Sequence, residues 1–308
     1  MPSPQVIVIT GPTATGKSAI GALLAKSIGG EVISADSMQI YKYMDIGTAK
    51  PTKDERLGVP HHMLDIVHPC DDYSTAAYVE DASAHIDDIL RRGKRPIIVG
   101  GTGLYIDSVI SGRTFSLRGD ANLRKGLEDE YDSIGGELML QRLQEIDPES
   151  AKSLHHNDKK RIVRAFEVYQ TAGEPISRHN QNTKSQPPRY SSVKVILMYS
   201  DRKNLYSKID ARVDYMLGSG FLEEVRSLIG MGVPPGSTAM QAIGYKELAE
   251  VIYGQRSIDD AVDKIKMESR RYAKRQLTWL RRDAEAVWVF WEDEVPADIP
   301  DAIWGIVP

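Results

Sequence analysis

The sequence has almost no cysteine, and it contains no long apolar run. Its 308 residues include a single cysteine, Cys70, which excludes an internal disulfide framework and a multi-cysteine zinc site. No apolar run reaches the ~18 residues of a membrane span, so we expect no membrane partner. No basic leader precedes the first apolar stretch. These absences lead us to expect a protein of the reducing cytoplasm.

The chain also lacks a net positive charge, since its formal net charge at pH 7 is −4. A nucleic-acid partner must therefore be argued from local patches. Residues 264–282 carry eight Lys or Arg against one acidic residue, and residues 155–190 carry seven against three. One such stretch alone is typical of a solvated helix face. Two of them in an acidic chain favour a polyanionic partner.

What is present is the composition of a globular protein, with 41% hydrophobic and 27% charged residues. A short continuous apolar run at residues 5–10 is typical of a strand buried on both faces, and residues 31–36 and 95–101 are predicted to form a second strand and a third, buried strand. Helical periodicity follows at residues 17–28 and 76–92. Strands that alternate with helices predict a parallel sheet with right-handed crossovers.

The pattern changes after the third strand. Helical periodicity without a convincing strand runs from about residue 117 to residue 172. Residues 174–190, rich in Ser, Asn, Gln and Pro, are predicted to form a loop. Strands are predicted again at residues 193–199 and 287–291. The predicted domains are a core of residues 1–112 and 191–308 and a helical insertion of residues 113–190.

A glycine-rich loop joins the first predicted strand to the first helix, and it matches the pattern GxxxxGK[ST] in full. Its N–H groups can converge on phosphate oxygens, Lys17 supplies a cation, and Ser18 can ligate Mg²⁺. The helix N-terminus adds positive potential. The predicted fold class is therefore α/β, a P-loop NTPase-like parallel sheet core with an inserted helical domain. The predicted phosphate-binding residues are Gly11, Pro12, Thr13, Ala14, Thr15, Gly16, Lys17 and Ser18.

The sequence lacks the second strand ending in a carboxylate that usually orders the metal in NTPases. The apolar run at residues 97–99 continues into Gly100-Gly101-Thr102 without an acidic residue. Asp36 instead ends the run at residues 32–35, at the carboxyl edge of the predicted sheet, where open α/β sheets bind ligands. Asp36 could ligate metal, act as a general base, or cap the following turn.

Seven segments, read together, carry a resemblance to a known family. Besides the phosphate loop they are SADSMQIY at 34–41, DIGTAKP at 45–51, VPHH at 59–62, GGTGLY at 100–105, QAIGYK at 241–246 and AKRQLTWLR at 273–281. They span nearly the whole chain, in the order found in the family. The sequence thus resembles the tRNA dimethylallyltransferases, also called tRNA isopentenyltransferases, in their bacterial single-module form.

The resemblance implies a reaction. A five-carbon group passes from dimethylallyl pyrophosphate to the exocyclic amine of the adenosine just 3′ of the anticodon in tRNA, and pyrophosphate leaves. It also implies a P-loop core with an inserted helical domain that grips the anticodon stem-loop. We expect Mg²⁺ as cofactor, because it would stabilise the charge on the pyrophosphate leaving group, and we expect a monomer. We expect the phosphate loop to hold this donor rather than ATP. Because no water attacks, the missing hydrolytic carboxylate is expected.

The acceptor chemistry favours a base at Asp36. An aromatic amine is a poor nucleophile because its lone pair is delocalised, and it gains from a carboxylate that takes its proton. An adenine in a stacked loop must be extruded to react, and amide side chains such as Gln39 can read its edge. The residues of this segment assigned to tRNA binding are Asp36, Ser37, Met38 and Gln39.

Further roles follow from the resemblance alone. Thr102 resembles the residue at the tRNA-facing mouth of the reaction channel, although a helix N-cap would also suit threonine. Arg212 resembles the arginine that clamps pyrophosphate, the alternative being an ordinary surface arginine. Lys160 replaces a glutamine of the family pattern, and an exposed ion pair is the alternative for Arg124. The basic residues assigned to tRNA are Arg124, Lys160, Arg161, Arg164, Arg271, Lys274 and Arg275.

The last basic stretch is predicted to form one helix, at residues 263–282. Arg271 and Arg275 are four residues apart, and so are Arg270 and Lys274, so the cations should form a stripe on one face. Leu277 and Leu280 can anchor another face in the core. Such a stripe suits a phosphate backbone.

Three alternatives share parts of this pattern. A small-molecule kinase would share the phosphate loop and the Asp at a strand end, but it would not need the basic stretches. An enzyme that prenylates free AMP or ATP would not need an insertion of about 75 residues. A non-catalytic RNA-binding module would not need Lys17, Ser18 and Asp36 together.

Overall fold

The computed structural model describes residues 5–112, 121–184 and 187–305 of the chain. The chain divides into two compact units, the first made of Met1–Ile110 with Tyr190–Pro308 and the second of Ser111–Arg189. These divisions lie within two residues of the predicted ones. The predicted start of the helical region near residue 117 lies outside the described residues.

The first unit contains a parallel sheet. Its strands are β1 (Val6–Thr10), β2 (Glu31–Ser34), β3 (His61–His62), β4 (Pro96–Gly100), β5 (Ser192–Tyr199) and β6 (Val287–Trp291). The sheet has six strands in the order β3-β2-β4-β1-β5-β6, and every pairing is parallel. All five residues of β1 are buried, as its continuous apolar run indicates. The predicted α/β class is confirmed.

Helices make up most of the rest of the described chain. In order they are α1 (Lys17–Ile28), α2 (Thr75–Arg91), α3 (Gly103–Ser111), α4 (Ala121–Ile134), α5 (Gly136–Ile146), α6 (Pro148–Ser153), α7 (Lys159–Ala172), α8 (Ile176–Lys184), α9 (Arg202–Gly218), α10 (Phe221–Gly230), α11 (Tyr245–Ile252), α12 (Ile258–Leu280) and α13 (Asp301–Trp304). Helix α12 packs against α9 and α11, and its Leu277 and Leu280 are buried with the sheet residues as predicted.

The strand order determines where a ligand can bind. Strand β1 lies between β4, which leads on to β2, and β5, which leads on to β6. Such a change of direction opens a crevice at the carboxyl ends of the strands. The phosphate loop follows β1, Asp36 lies just beyond β2, and Thr102 lies just beyond β4. The topology therefore brings the three predicted site segments to one edge of the sheet.

The second unit consists of helices α4 to α8. Leu143, Ala151 and Ala165 form its buried cluster. Part of the loop predicted at residues 174–190 is instead helix α8, so that prediction was wrong there. The Asp147 carboxylate accepts N–H groups from Ser150 at 3.1 Å and from Ser177 at 3.0 Å, which caps α6 and also satisfies the start of α8. This partner comes from about 30 residues away, beyond the reach of local sequence patterns.

Strand β3 was also missed. It has two residues, and it pairs with β2 by placing His61 opposite Val32 and His62 opposite Ile33. His62 Nε2 lies 2.9 Å from Glu31 Oε2, on the neighbouring strand. So short a strand leaves no apolar run to detect, and we take its histidines as part of the sheet edge.

Candidate active site

Hydrogen bonds within the phosphate loop fix its shape, but they do not use the N–H groups of residues 15–18. The Thr15 hydroxyl and the Lys17 ammonium both donate to the Pro12 carbonyl, at 2.9 and 3.0 Å. Gly16 has φ 76°, in the left-handed region that glycine tolerates best. Among the hydrogen bonds of the described residues, none takes up the N–H groups of residues 15–18. Converging N–H groups without an internal acceptor suit an anion such as phosphate.

Lys17 of this loop lies close enough to Arg212 and Asp36 to interact with them electrostatically. The pKa of Lys17 falls from its ordinary 10.5 to about 8, chiefly because the ammonium is buried; the nearby Arg212 also lowers it, and Asp36 opposes the shift. Burial likewise lowers the pKa of Arg212, against the pull of Asp36 and Glu55. Arg212 of α9 is thus placed beside the loop rather than on an open surface. The excess positive charge suits a pyrophosphate group.

Asp36 caps the turn after β2, and it also faces the site. Its Oδ1 accepts the N–H groups of Met38 at 2.9 Å and of Gln39 at 3.4 Å. No hydrogen bond within the described ranges involves Oδ2. The capping alternative and a catalytic role are therefore compatible, because each uses a different oxygen.

Thr102 ties the end of β4 to the end of β2. Its hydroxyl accepts the Ser37 N–H at 3.1 Å, and its own N–H donates to the Ala35 carbonyl at 3.0 Å. The approach is close, because a Cβ on Gly100 would lie 2.2 Å from the Ala35 oxygen. The Thr102 carbonyl accepts the Tyr105 N–H as α3 begins. Asp36 and Thr102 are therefore held side by side.

Gln39 is engaged by the protein itself. It is 8% exposed. Its Nε2 donates to the carbonyls of Thr48 and Ala49, both at 3.2 Å, and its Oε1 accepts from the Ser34 hydroxyl at 3.1 Å. This differs from the expectation that Gln39 reads adenine, because both ends of the amide are already bound. In this structure Gln39 shapes the segment that carries Asp36.

Sequence reasoning missed Glu224. Its carboxylate accepts N–H groups from Asp45 at 2.8 Å, Ile46 at 2.7 Å and Gly47 at 3.1 Å, and the Tyr245 hydroxyl at 2.6 Å. The only signal in the sequence was the DIGTAKP segment, whose three consecutive N–H groups bind this carboxylate. Glu224 fastens that segment to α10.

Lys50 supports the same segment from its other end. It is 7% exposed. Its ammonium donates to the Tyr41 carbonyl at 2.7 Å and to the carboxylates of Asp45 and Asp65 at 2.6 Å each. A buried ammonium with three oxygen partners is satisfied, so Lys50 stabilises the loop that follows Asp36 and is not free for a ligand.

The basic stripe predicted on α12 is only partly free. Arg270 pairs with Asp210 of α9, and Arg271 pairs with Glu268 on its own helix. Within the described chain, Lys274 and Arg275 form no ion pair, and both are exposed. Of the three residues assigned to tRNA on this helix, Arg271 is therefore the one whose charge is already matched.

The basic residues of the second unit divide in a similar way. Arg124 and Arg164 both bind Glu167, at 3.0 and 2.7 Å, and the Glu167 side chain is 1% exposed. The ion pair that was the alternative for Arg124 is therefore present. Arg161 lies 3.8 Å from Asp158, and Lys160 is exposed. Because Arg124 and Arg164 share the single carboxylate of Glu167, a net positive charge remains at this surface.

The described ranges contain neither a membrane-spanning helix nor a cluster of metal-ligating side chains. No helix there is long and apolar enough to cross a membrane. No group of three or more His, Cys, Asp or Glu side chains there could hold a metal ion by itself.

Fold and site together define a P-loop protein of the α/β class, with a cationic phosphate loop that opens beside a carboxylate. Comparison with known proteins narrows this class. The family model described as IPP transferase matches residues 39–283, and the one described as Isopentenyl transferase matches residues 4–67. The chain therefore belongs to the tRNA isopentenyltransferase, or tRNA dimethylallyltransferase, family, which confirms the resemblance seen in the sequence.

Curated relatives agree with this membership. The tRNA dimethylallyltransferase of Caldanaerobacter subterraneus subsp. tengcongensis is 47% identical over 291 residues, which cover 94% of this chain and 92% of the relative. That of Carboxydothermus hydrogenoformans is 48% identical over 290 residues, which cover 93% and 92%.

Solved structures are similar as well. The full-length tRNA isopentenylpyrophosphate transferase of Bacillus halodurans matches with a TM-score of 0.72 and 38% identity, over 99% of this chain and 94% of that one. A eukaryotic dimethylallyltransferase, described as acting on tRNA, matches with a TM-score of 0.80 and 30% identity, over 94% and 75%.

Proposed function

We propose that this protein transfers the dimethylallyl group of dimethylallyl pyrophosphate to the exocyclic amine of the adenosine just 3′ of the anticodon in tRNA. The observation that carries the proposal is the phosphate loop, whose N–H groups at residues 15–18 have no acceptor among the described residues and whose Lys17 is near Arg212 and Asp36. The names of the curated relatives support the same transfer. The protein would work in the cytoplasm, as a monomer.

In the proposed reaction, the carbon–oxygen bond of the donor breaks and its electron pair leaves with pyrophosphate. A bond forms between that carbon and the adenine nitrogen, and the proton of the nitrogen passes to Asp36 Oδ2. Lys17, Arg212 and the loop N–H groups stabilise the charge that builds on the leaving group. No water is activated, so a second carboxylate is not required.

Mg²⁺ is the proposed cofactor. It would be held by the Ser18 hydroxyl together with oxygens of the pyrophosphate and water, since Mg²⁺ usually keeps several waters and binds through substrate phosphates. The lack of a carboxylate cluster in the described part of the chain fits this arrangement. When bound, the ion would neutralise part of the charge of the leaving group.

We assign tRNA binding to two sets of basic residues. On α12, Lys274 and Arg275 are exposed without an ion pair in the described chain. The helical insertion would grip the anticodon stem-loop through Arg124, Lys160, Arg161 and Arg164. Free cations favour contact with phosphates, because each phosphate they neutralise releases a counterion.

Mass spectrometry of tRNA nucleosides tests the proposal. Undermodified tRNA is incubated with the protein, Mg²⁺ and dimethylallyl pyrophosphate, and then digested. We expect one adenosine per cognate tRNA to gain a C5H8 unit, and none in a tRNA with guanosine at that position. Labelled ATP with common metabolites, and free AMP with the donor, are the parallel arms. Phosphorylated metabolites or prenylated AMP without tRNA modification would overturn the proposal.

A further inference from the structure

We propose that Gln276 is a positioning residue, which holds the phosphate loop and the turn that carries Thr102 at a fixed separation so that donor and acceptor meet correctly. This inference rests on the proposed function and adds to it. Gln276 lies within the segment at residues 273–281 that resembles the family. Lys274 and Arg275 of this segment are assigned to tRNA binding, but no role has so far been assigned to the glutamine.

The evidence is a pair of hydrogen bonds from one buried amide. Gln276 is 6% exposed. Its Oε1 accepts the Thr13 N–H at 2.9 Å, and its Nε2 donates to the Gly101 carbonyl at 3.0 Å. These partners are 263 and 175 residues away in the sequence. The amide thus links the loop after β1 to the turn after β4.

The packing around this amide is tight. A Cβ on Gly101 would lie 2.2 Å from Gln276 Nε2, so the turn accommodates the amide only with glycine at that position. The next glycine is similar, because a Cβ on Gly103 would lie 2.4 Å from the ring of Trp279, also on α12. Helix α12 therefore presses directly against the turn that carries Thr102.

Both linked segments bear on the reaction. Thr13 belongs to the loop that ends in Lys17, which would hold the leaving group. Gly101 directly precedes Thr102, whose hydroxyl binds the Ser37 N–H beside Asp36. Because a carboxamide is planar and rigid, its two bonds fix the distance between the donor side and the acceptor side. Misplacement of about 1 Å can cost about 100-fold in rate.

Helix α12 contributes a second group to the same place. Tyr272 precedes Gln276 by one helical turn, and the pKa of its hydroxyl is raised to about 12, chiefly by burial and then by the charge of Asp36. The side chains of residues 272 and 276 lie on one helix face. That face therefore lines the reaction site, while Lys274 is exposed and the Arg275 guanidinium lies 5.7 Å from the centroid of the Tyr272 ring.

Single-turnover transfer by Gln276→Met tests the inference, because methionine has a similar volume and neither hydrogen bond. We expect the rate to fall by about 10- to 100-fold, while the dissociation constants of inorganic pyrophosphate and of tRNA change less than about threefold. Gln276→Asn, which is too short to span both partners, should be intermediate. The matched control is Gln255→Met, at an exposed glutamine of the first unit.

A purely structural role predicts a different pattern. Lost rate matched by equally lost pyrophosphate affinity would mean that Gln276 only shapes the phosphate loop, and the proposal would be overturned. An unchanged rate in both Gln276 variants would overturn it as well, while tRNA modification by the wild type would leave the proposed function standing. If the wild type modified no tRNA, both proposals would fail.

Discussion

The charge of Lys17 changes within an accessible pH range, and donor binding should follow it. In the free protein its pKa is about 8, chiefly because of burial, with Arg212 adding to the shift and Asp36 opposing it. A bound pyrophosphate favours the ammonium form and should raise this pKa again. Affinity for the donor is therefore fully present below pH 8 and is lost as the pH rises through that value.

The size of the effect follows from the protonated fraction of Lys17. With a pKa of about 8, about 0.9 of the protein carries the ammonium at pH 7 and about 0.1 at pH 9. Because the apparent Kd varies inversely with the competent fraction, it should rise about tenfold between these values, or about 1.4 kcal/mol. A phosphate group with a second pKa near 6 is ionised throughout, so the donor adds little.

Calorimetric titration of dimethylallyl pyrophosphate without tRNA at pH 7, 8 and 9, at fixed Mg²⁺, measures the change. Repeating the titration at pH 8 in buffers of different ionisation enthalpy measures proton uptake. Lys17→Arg is the matched control, because its guanidinium stays charged and its profile should be flat. A wild-type profile as flat as that of Lys17→Arg, with no proton uptake, would refute the reasoning.

Three other variants probe the base, the tRNA surface and the loop support. Asp36→Asn should lower the single-turnover transfer rate by about 10²- to 10⁴-fold, measured by rapid quench, with donor and tRNA binding retained. Lys274→Ala with Arg275→Ala should weaken tRNA binding and flatten the slope of log affinity against log salt by about one unit per lost contact, measured by filter binding. Glu224→Gln should lower the free energy of unfolding by about 1–3 kcal/mol, measured by urea denaturation.

Each of these variants has a control variant or an outcome that would contradict it. Transfer by Asp36→Asn at the wild-type rate would remove Asp36 as the base. Arg271→Ala, at an arginine already paired with Glu268, should change the salt slope less than the Lys274 and Arg275 pair does; equal changes would contradict the assignment. Glu223→Gln, at the exposed neighbour of Glu224, should leave stability within about 0.5 kcal/mol.

The sheet could be predicted because its strands β1, β2 and β4 are buried on both faces. Each of the five predicted strands contains a continuous apolar run, and that signal is independent of the neighbouring strands. Strand β3 gives no such signal, since its two histidines join the sheet only by pairing with β2. Helix α8 likewise depends on Asp147, about 30 residues earlier in the chain, which the local composition of residues 174–190 does not reveal.

The parts of the site that follow directly after a strand could be predicted from the sequence. A parallel sheet brings the residues after β1, β2 and β4 together, so the phosphate loop, Asp36 and Thr102 follow from the strands. The side-chain partners do not follow. Gln39 is chemically able to read adenine, and only the fold shows that its amide is bound to the Thr48 and Ala49 carbonyls.

The ion pairs of helix α12 also could not be predicted from the sequence. Spacing correctly separates a buried face, with Leu277 and Leu280, from a basic face. It cannot distinguish Arg270, which meets Asp210 of another helix, from Lys274, which meets no acid in the described chain. Only the unmatched cations leave their charge for a phosphate backbone, so the tRNA surface on this helix is narrower than its sequence suggests. The salt slope of the Lys274 and Arg275 variant therefore tests this surface more directly than the count of basic residues does.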